Sequence, residues 1–125
     1  MRPLLLALSA LQLLNGMLML ADPQFWYGAV PGLTETGPFN SHFVRDIGLG
    51  FLSAGFALGL AGWYAAIARP LVAIAGIFLL GHALLHLVEM AVHGSDPAAA
   101  ARDIALIVVP ALLPLFVFMR RVSHA

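Results

Sequence analysis

One stretch of the sequence concentrates side chains that can bind a metal ion or transfer a proton. Between Gly81 and Gly94, polar residues recur four, three and four positions apart among leucine, valine and alanine. They are His82, His86, Glu89 and His93. At about 100° per residue of an α-helix, these four side chains fall in one stripe about 60° wide. Ionisable groups are costly inside a membrane, so we expect the stripe to face the protein interior, where its members are paired or ligate an ion.

A second polar group lies at the start of the second apolar segment. His42 and Asp46 are four residues apart and so share a helical face. At about 1.5 Å of rise per residue, Asp46 comes level with His86 and Glu89 across a hydrocarbon core of about 30 Å. We therefore predict one transition-metal site formed by both groups. Its predicted ligands are His42, Asp46, His82, His86 and Glu89, with Asn15, Arg45 and His93 as supporting neighbours.

The donor types limit which metal such a site prefers. The chain contains no cysteine, so the ligands would be nitrogen and oxygen. These suit zinc, iron, manganese or copper(II), and an open coordination position would allow a metal-dependent oxidoreductase or hydrolase. Two alternatives use the same residues. The chain could bind haem b between His42 and His86, or serve as an accessory or transport subunit whose polar cluster relays protons or only fixes helix packing.

The elements that must position these residues are membrane-spanning helices. The chain is 62% hydrophobic and only 10% charged, against roughly 25% charged for an ordinary soluble domain. Its apolar segments, at about 4–21, 43–68, 71–93 and 103–119, are each near the ~20 residues that cross a bilayer as a helix. We predict an all-α integral membrane four-helix bundle forming a single domain, with one substantial loop at 22–41. Arg102 and Asp103 would close the rim from the fourth segment.

The distribution of charge predicts the orientation. Arg2, the 69–70 turn and the arginine pair at 120–121 share one side with no acid, and that side should be cytoplasmic. All six acids fall on the opposite side. Both termini are therefore predicted to be cytoplasmic in a multi-pass protein. The first segment also looks like a secretory signal with a candidate cleavage site after Ala21, but Met19 occupies a position that usually needs a small residue, so we expect an anchor.

The charge balance and the spacing of glycines indicate which partners the chain can have. The chain has no lysine and its arginines equal its acids in number, so we expect the lipid bilayer as a partner and no nucleic acid. The second segment carries a glycine stripe that includes Gly55 and Gly59, a spacing that favours close helix approach. This stripe suits either the first helix or the same helix of another copy. Homo-oligomerisation, or assembly into a larger membrane complex, therefore stays open.

The run from Gly37 to Gly48, which contains His42, Arg45 and Asp46, resembles a signature of small bacterial four-helix membrane proteins of uncharacterised function. The layout is similar to the DUF4345-like group, in which an arginine begins a glycine-rich second helix and two further helices follow. The resemblance implies a bacterial inner-membrane location. It implies no activity.

Overall fold

We describe a computed structural model of the chain over residues 1–119, without the side chain of Glu35. Within this range it consists of helices and short connections, with no strand. The α-helices are α1 (Arg2–Ala21), α2 (Pro23–Ala29), α3 (Ser41–Trp63), α4 (Ala68–His93), α5 (Pro97–Asp103), α6 (Val109–Leu112) and α7 (Phe116–Met119). Short 3-10 helices cover Leu33–Glu35, Ala65–Ile67 and Leu113–Leu115, and a π-helix covers Ile104–Val108.

Four helical spans are long and apolar enough to cross a membrane: Arg2–Ala21, Ser41–Trp63, Ala65–His93 and Pro97–Met119. They confirm the four predicted segments, with shifted bounds. The second ends at Trp63 rather than at 68. The fourth begins at Pro97 rather than at 103, because the Asp96 carboxylate accepts hydrogen bonds from the backbone N–H of Ala98 (3.1 Å) and Ala99 (3.2 Å) and so caps a helix start.

The glycine stripe of α3 lies against α1. A Cβ atom added at Gly16 of α1 would lie 2.7 Å from the carbonyl oxygen of Gly48, and one added at Gly55 would lie 3.0 Å from the backbone nitrogen of Leu13. The Ser9 hydroxyl donates a 2.7 Å hydrogen bond to the Gly55 carbonyl oxygen. The sequence allowed this stripe to face either the first helix or the same helix of another copy. In the structure it faces the first helix.

The apolar core fills the half of the bundle that carries the N-terminus and the α3–α4 turn, which we call the terminal end. It is built from small side chains and leucines, which let the helices approach closely. Its buried members are Leu5, Leu8, Ala54, Ala57, Leu58, Ala61, Ala68, Val72, Ala75, Leu79, Ala83 and Ala111. The opposite half, which carries the 22–41 loop and the α4–α5 turn and which we call the loop end, is less tightly filled.

The fourth span is irregular, as its prolines predict. Pro110 has no N–H to offer the preceding turn, and the π-helix lies directly before it. Pro114 lies within the 3-10 segment Leu113–Leu115. Among the described residues of this span only Ala111 and Pro114 are buried. The fourth span therefore packs loosely on the other three and leaves space at the loop end.

Candidate functional site

A cavity of about 380 Å³ occupies the loop-end half of the bundle. All four spans contribute to its wall, and the residues from Val30 to Leu33, with Thr36, line it from the 22–41 loop. Most of the wall is aliphatic or aromatic. Its polar members are Gln12, Asn15, Trp26, Thr36, His82, His86, Arg102 and Asp103.

The polar centre of the cavity is a hydrogen-bonded chain from α4 to α5. His86 Nδ1 lies 3.1 Å from Asp103 Oδ2, and both side chains are partly buried. The other carboxylate oxygen, Oδ1, accepts from Arg102 Nε at 3.0 Å and from Nη2 at 2.9 Å. Because a carboxylate can only accept, Nδ1 of His86 donates to Asp103, and in the neutral imidazole Nε2 then carries the lone pair. Nε2 has no hydrogen-bond partner among the described residues.

His82 is held by aromatic rings rather than by hydrogen bonds. Its ring is parallel to that of Phe78 (centroids 5.9 Å apart, 4° between planes) and meets Phe51 edge to face (5.5 Å, 84°). His86 lies one turn further along, with its ring 4.8 Å away at 74°. These contacts fix the orientation of the imidazole. Within the described part of the chain, neither ring nitrogen of His82 has a hydrogen-bond partner.

Gln12 contributes an amide from α1. The residue is only 6% exposed, it lines the cavity, and its side chain makes no hydrogen bond to the described residues. Among the described residues no fully buried side-chain nitrogen or oxygen atom lacks a hydrogen-bond partner, so the amide atoms of Gln12 reach accessible space. The donors and the acceptor of Gln12 are therefore available to whatever fills the cavity.

Two contacts join elements of the cavity wall at the loop end. The Trp26 indole N–H donates a 2.8 Å hydrogen bond to Asn15 Oδ1, which fixes α2 against α1. Gly32 adopts the left-handed conformation (φ 79°), and a Cβ atom added there would lie 2.7 Å from Arg102 Nη1. The loop thus rests on the same guanidinium group that binds Asp103.

The structure places His42 and Asp46 away from this cavity. They pair with each other at 3.4 Å, and their side chains are 88% and 56% exposed. On α3 the cavity is lined by Ile47 and Phe51. At 100° per residue, His42 points about 180° and Asp46 about 140° away from Phe51. The predicted match in height between the two polar groups does not bring them together, because they point in different directions.

The outer end of the α4 stripe is also separate from the cavity. Glu89 and His93 pair with each other at 3.4 Å and are 60% and 70% exposed. The predicted neighbour Arg45 donates from Nε to the carbonyl oxygen of Leu20 at 3.3 Å. Of the predicted ligands, only His82 and His86 share the cavity, together with the predicted neighbour Asn15.

The residues thus brought together differ from the predicted metal site. Over residues 1–119, no group of three or more His, Cys, Asp or Glu side chains is arranged to hold a metal ion. The predicted pairing of His42 and His86 as axial haem ligands is likewise not formed, because only His86 lines the cavity. The sequence predicted Asp103 only as a residue that closes the rim. The one feature that could have indicated its contact with His86 was its acidic side chain at the loop end of the fourth span.

Comparisons with protein-family models, with curated proteins and with solved structures found no match. The chemistry of the cavity is therefore interpreted from its own residues.

Proposed function

We propose that the chain is a multi-pass protein of the bacterial inner membrane, with both termini cytoplasmic and the cavity in the periplasmic half. The four apolar spans support insertion. Large apolar side chains also cover their outer surface, such as Ile77 at 79% and Leu14 at 69% exposed, as lipid contact requires.

Aromatic and basic residues support the orientation. Trp26 and Tyr27 lie at the loop end, and Trp63 and Tyr64 at the terminal end, which matches two interfacial belts. The guanidinium carbon of Arg2 lies 4.4 Å from the centre of a Trp63 ring. Arg2 and Arg69 fall at the terminal end, and arginine is typical of cytoplasmic loops. The pair at 120–121 lies outside the described residues.

We further propose that the cavity binds a small, largely apolar molecule. The observation that carries this proposal is the convergence of unpartnered polar groups on one cavity: His86 Nε2, the His82 imidazole and the Gln12 amide. Its volume of about 380 Å³ falls within the range of small-molecule sites, and such sites combine apolar walls with a few placed polar groups.

A binding site fits the distribution of polar groups better than a proton path across the membrane. Towards the terminal end, the polar residues of α1 stop at Gln12 and Ser9, and Ser9 already donates to the Gly55 carbonyl oxygen. Beyond them the core is made of alanine, valine and leucine. Among the described residues, the polar groups of the bundle interior thus form no continuous row to the terminal end.

A metal centre fits these residues less well. The cavity supplies two imidazoles, whereas Asp103 is occupied by Arg102 and His86. A metal held by His82 and His86 would take its remaining ligands from water or from a bound molecule, as open catalytic sites do.

The test compares a variant with a filled cavity against a variant changed on the outer surface. Ile107→Trp places a large ring in the cavity wall, whereas Ile77→Trp adds the same ring to an exposed position of α4. Each protein is purified in detergent, extracted with organic solvent and analysed by mass spectrometry. We expect wild type and Ile77→Trp to carry the same compound and Ile107→Trp to lack it.

An equal amount of compound in all three proteins, or none in any, would overturn the binding proposal. Metal content is measured on the same samples. A stoichiometric metal that is lost in His82→Ala and in His86→Ala would show a metal centre instead.

A further inference from the structure

We infer that the ligand of the cavity is an uncharged aromatic alcohol of the phenol class, whose hydroxyl group donates its hydrogen to His86 Nε2. This inference rests on the proposed small-molecule function and specifies the chemistry of the ligand. Three features of the cavity support it: the polarity of the histidine, the balance of charge and the nature of the walls.

The tautomer of His86 requires that the ligand offer a hydrogen-bond donor. Asp103 is held as a carboxylate by two contacts from Arg102, so His86 must donate to it from Nδ1. The neutral ring then presents a lone pair at Nε2. A carboxylate that fixes the tautomer and the direction of an imidazole in this way is the arrangement by which histidine accepts a proton from a hydroxyl group. A carbonyl compound, which only accepts, does not match this nitrogen.

The balance of charge selects an uncharged molecule. Among the described side chains that line the cavity, Arg102 and Asp103 are the only ionisable ones apart from the histidines. They form an ion pair with each other, so their charges cancel within the wall. A free anion or cation would enter this largely apolar space without a counter-charge, which is strongly unfavourable.

The cavity walls favour a ligand that contains an aromatic ring. Rings of Trp26, Phe51, His82 and His86 line the cavity, and most of the other lining side chains are aliphatic. Aromatic rings favour offset or edge-to-face contact with another ring, worth about 0.5–1.5 kcal/mol beyond the burial of area. A planar ring that carries one hydroxyl group satisfies these walls and Nε2 together.

The chemical step is a proton transfer. The O–H bond of the phenol breaks, a bond between the proton and His86 Nε2 forms, and the electron pair stays on oxygen as a phenolate. An imidazolium and a phenolate result, and nothing is oxidised or reduced. Asp103, bonded to the opposite nitrogen, is a positioning residue for this transfer.

The experiment uses para-nitrophenol, whose phenolate is coloured, and its methyl ether para-nitroanisole, which has no proton to donate. Full-length protein in nanodiscs is titrated at a pH below the pKa of the free phenol, with empty nanodiscs as the blank. We expect the phenol to bind at least about tenfold more tightly than the ether, and its bound form to absorb as the phenolate. His86→Phe should abolish the phenolate absorbance, and Asp103→Asn should reduce it.

The surface variant Glu89→Gln, changed on the same helix but outside the cavity, should behave as wild type. Equal binding of phenol and ether, or bound phenol without phenolate absorbance in wild type, would overturn the inference while the cavity remained a binding site. If Ile107→Trp bound both probes as well as wild type does, the binding would lie elsewhere and the proposed function itself would fail.

Discussion

Asp103 connects His86 to the rest of the loop end. It accepts from His86 with one oxygen and from Arg102 with the other, and Arg102 in turn supports Gly32. Removal of Asp103 would leave both His86 and Arg102 without this partner, whereas removal of either of them leaves Asp103 with one. Because the side chains are about one-sixth to one-third exposed, the interactions are screened less than on an open surface.

Arg102→Ala tests this chain at the level of single residues. Removing the guanidinium leaves a largely buried carboxylate with only His86 and an empty space below Gly32. We expect a loss of about 1–2 kcal/mol in the free energy of unfolding, measured by SDS titration with circular dichroism. The matched control is Arg45→Ala, because that exposed arginine makes a single 3.3 Å contact to Leu20 and should cost less than about 0.5 kcal/mol. Equal effects in both variants would contradict the role given to Arg102.

At the scale of elements, the contact of α1 with α3 fixes the rotation of α3. Glycines on both helices bring the backbones together, and the Ser9 hydroxyl bonds across the contact. Since the glycine stripe must face α1, the residues opposite it must face away. Asp46 lies about 180° from Gly55 by the helical repeat, which explains why it cannot reach the cavity.

Gly16→Ala and Gly81→Ala form a matched pair that tests this interface. Both positions lie within long helices, where alanine is intrinsically favoured over glycine by about 0.8–1 kcal/mol. A Cβ atom at Gly81 meets nothing within 4 Å, whereas one at Gly16 lies 2.7 Å from the Gly48 carbonyl oxygen. We expect Gly81→Ala to leave the unfolding free energy unchanged or raise it, and Gly16→Ala to lower it by about 1–3 kcal/mol. A stabilised Gly16→Ala protein would show that α1 and α3 do not approach so closely.

At the scale of the whole molecule, the structure is asymmetric along its axis. The terminal end is an apolar core of small side chains and leucines, and the loop end holds a largely apolar cavity with a few polar groups, beneath the 22–41 loop and beside the loosely packed fourth span. This asymmetry follows the charge asymmetry of the sequence. The proposed orientation places the cavity in the periplasmic half of the membrane.

The absence of cysteine in the sequence makes this orientation directly testable. Ser95→Cys places one thiol in the exposed α4–α5 turn, and Ala66→Cys places one in the exposed α3–α4 turn. With a membrane-impermeant maleimide applied to cells whose inner membrane is intact, we expect Ser95→Cys to be labelled and Ala66→Cys to be labelled only after that membrane is permeabilised. The reverse pattern would place both termini outside and invert the assignment.

The sequence by itself determined the helices and the asymmetry of the chain. In lipid a backbone must satisfy its own hydrogen bonds, so a long apolar segment has little choice but helix, and the four spans follow from hydropathy alone. Local pairs were equally predictable. Residues four apart on one helix are neighbours wherever the helix lies, and the structure has both His42 with Asp46 and Glu89 with His93 in such pairs.

Only the tertiary structure decided which polar residues meet. Height along the axis can be counted from the sequence, but the rotation of each helix depends on what it packs against. Docking of α1 on the glycine stripe turned His42 and Asp46 outwards. The irregular fourth span brought Asp103, seventeen positions further along the chain, to His86. The candidate site is therefore a histidine–aspartate pair between α4 and α5, whereas the sequence predicted a metal site shared by α3 and α4, because a contact between helices is set by the packing of both.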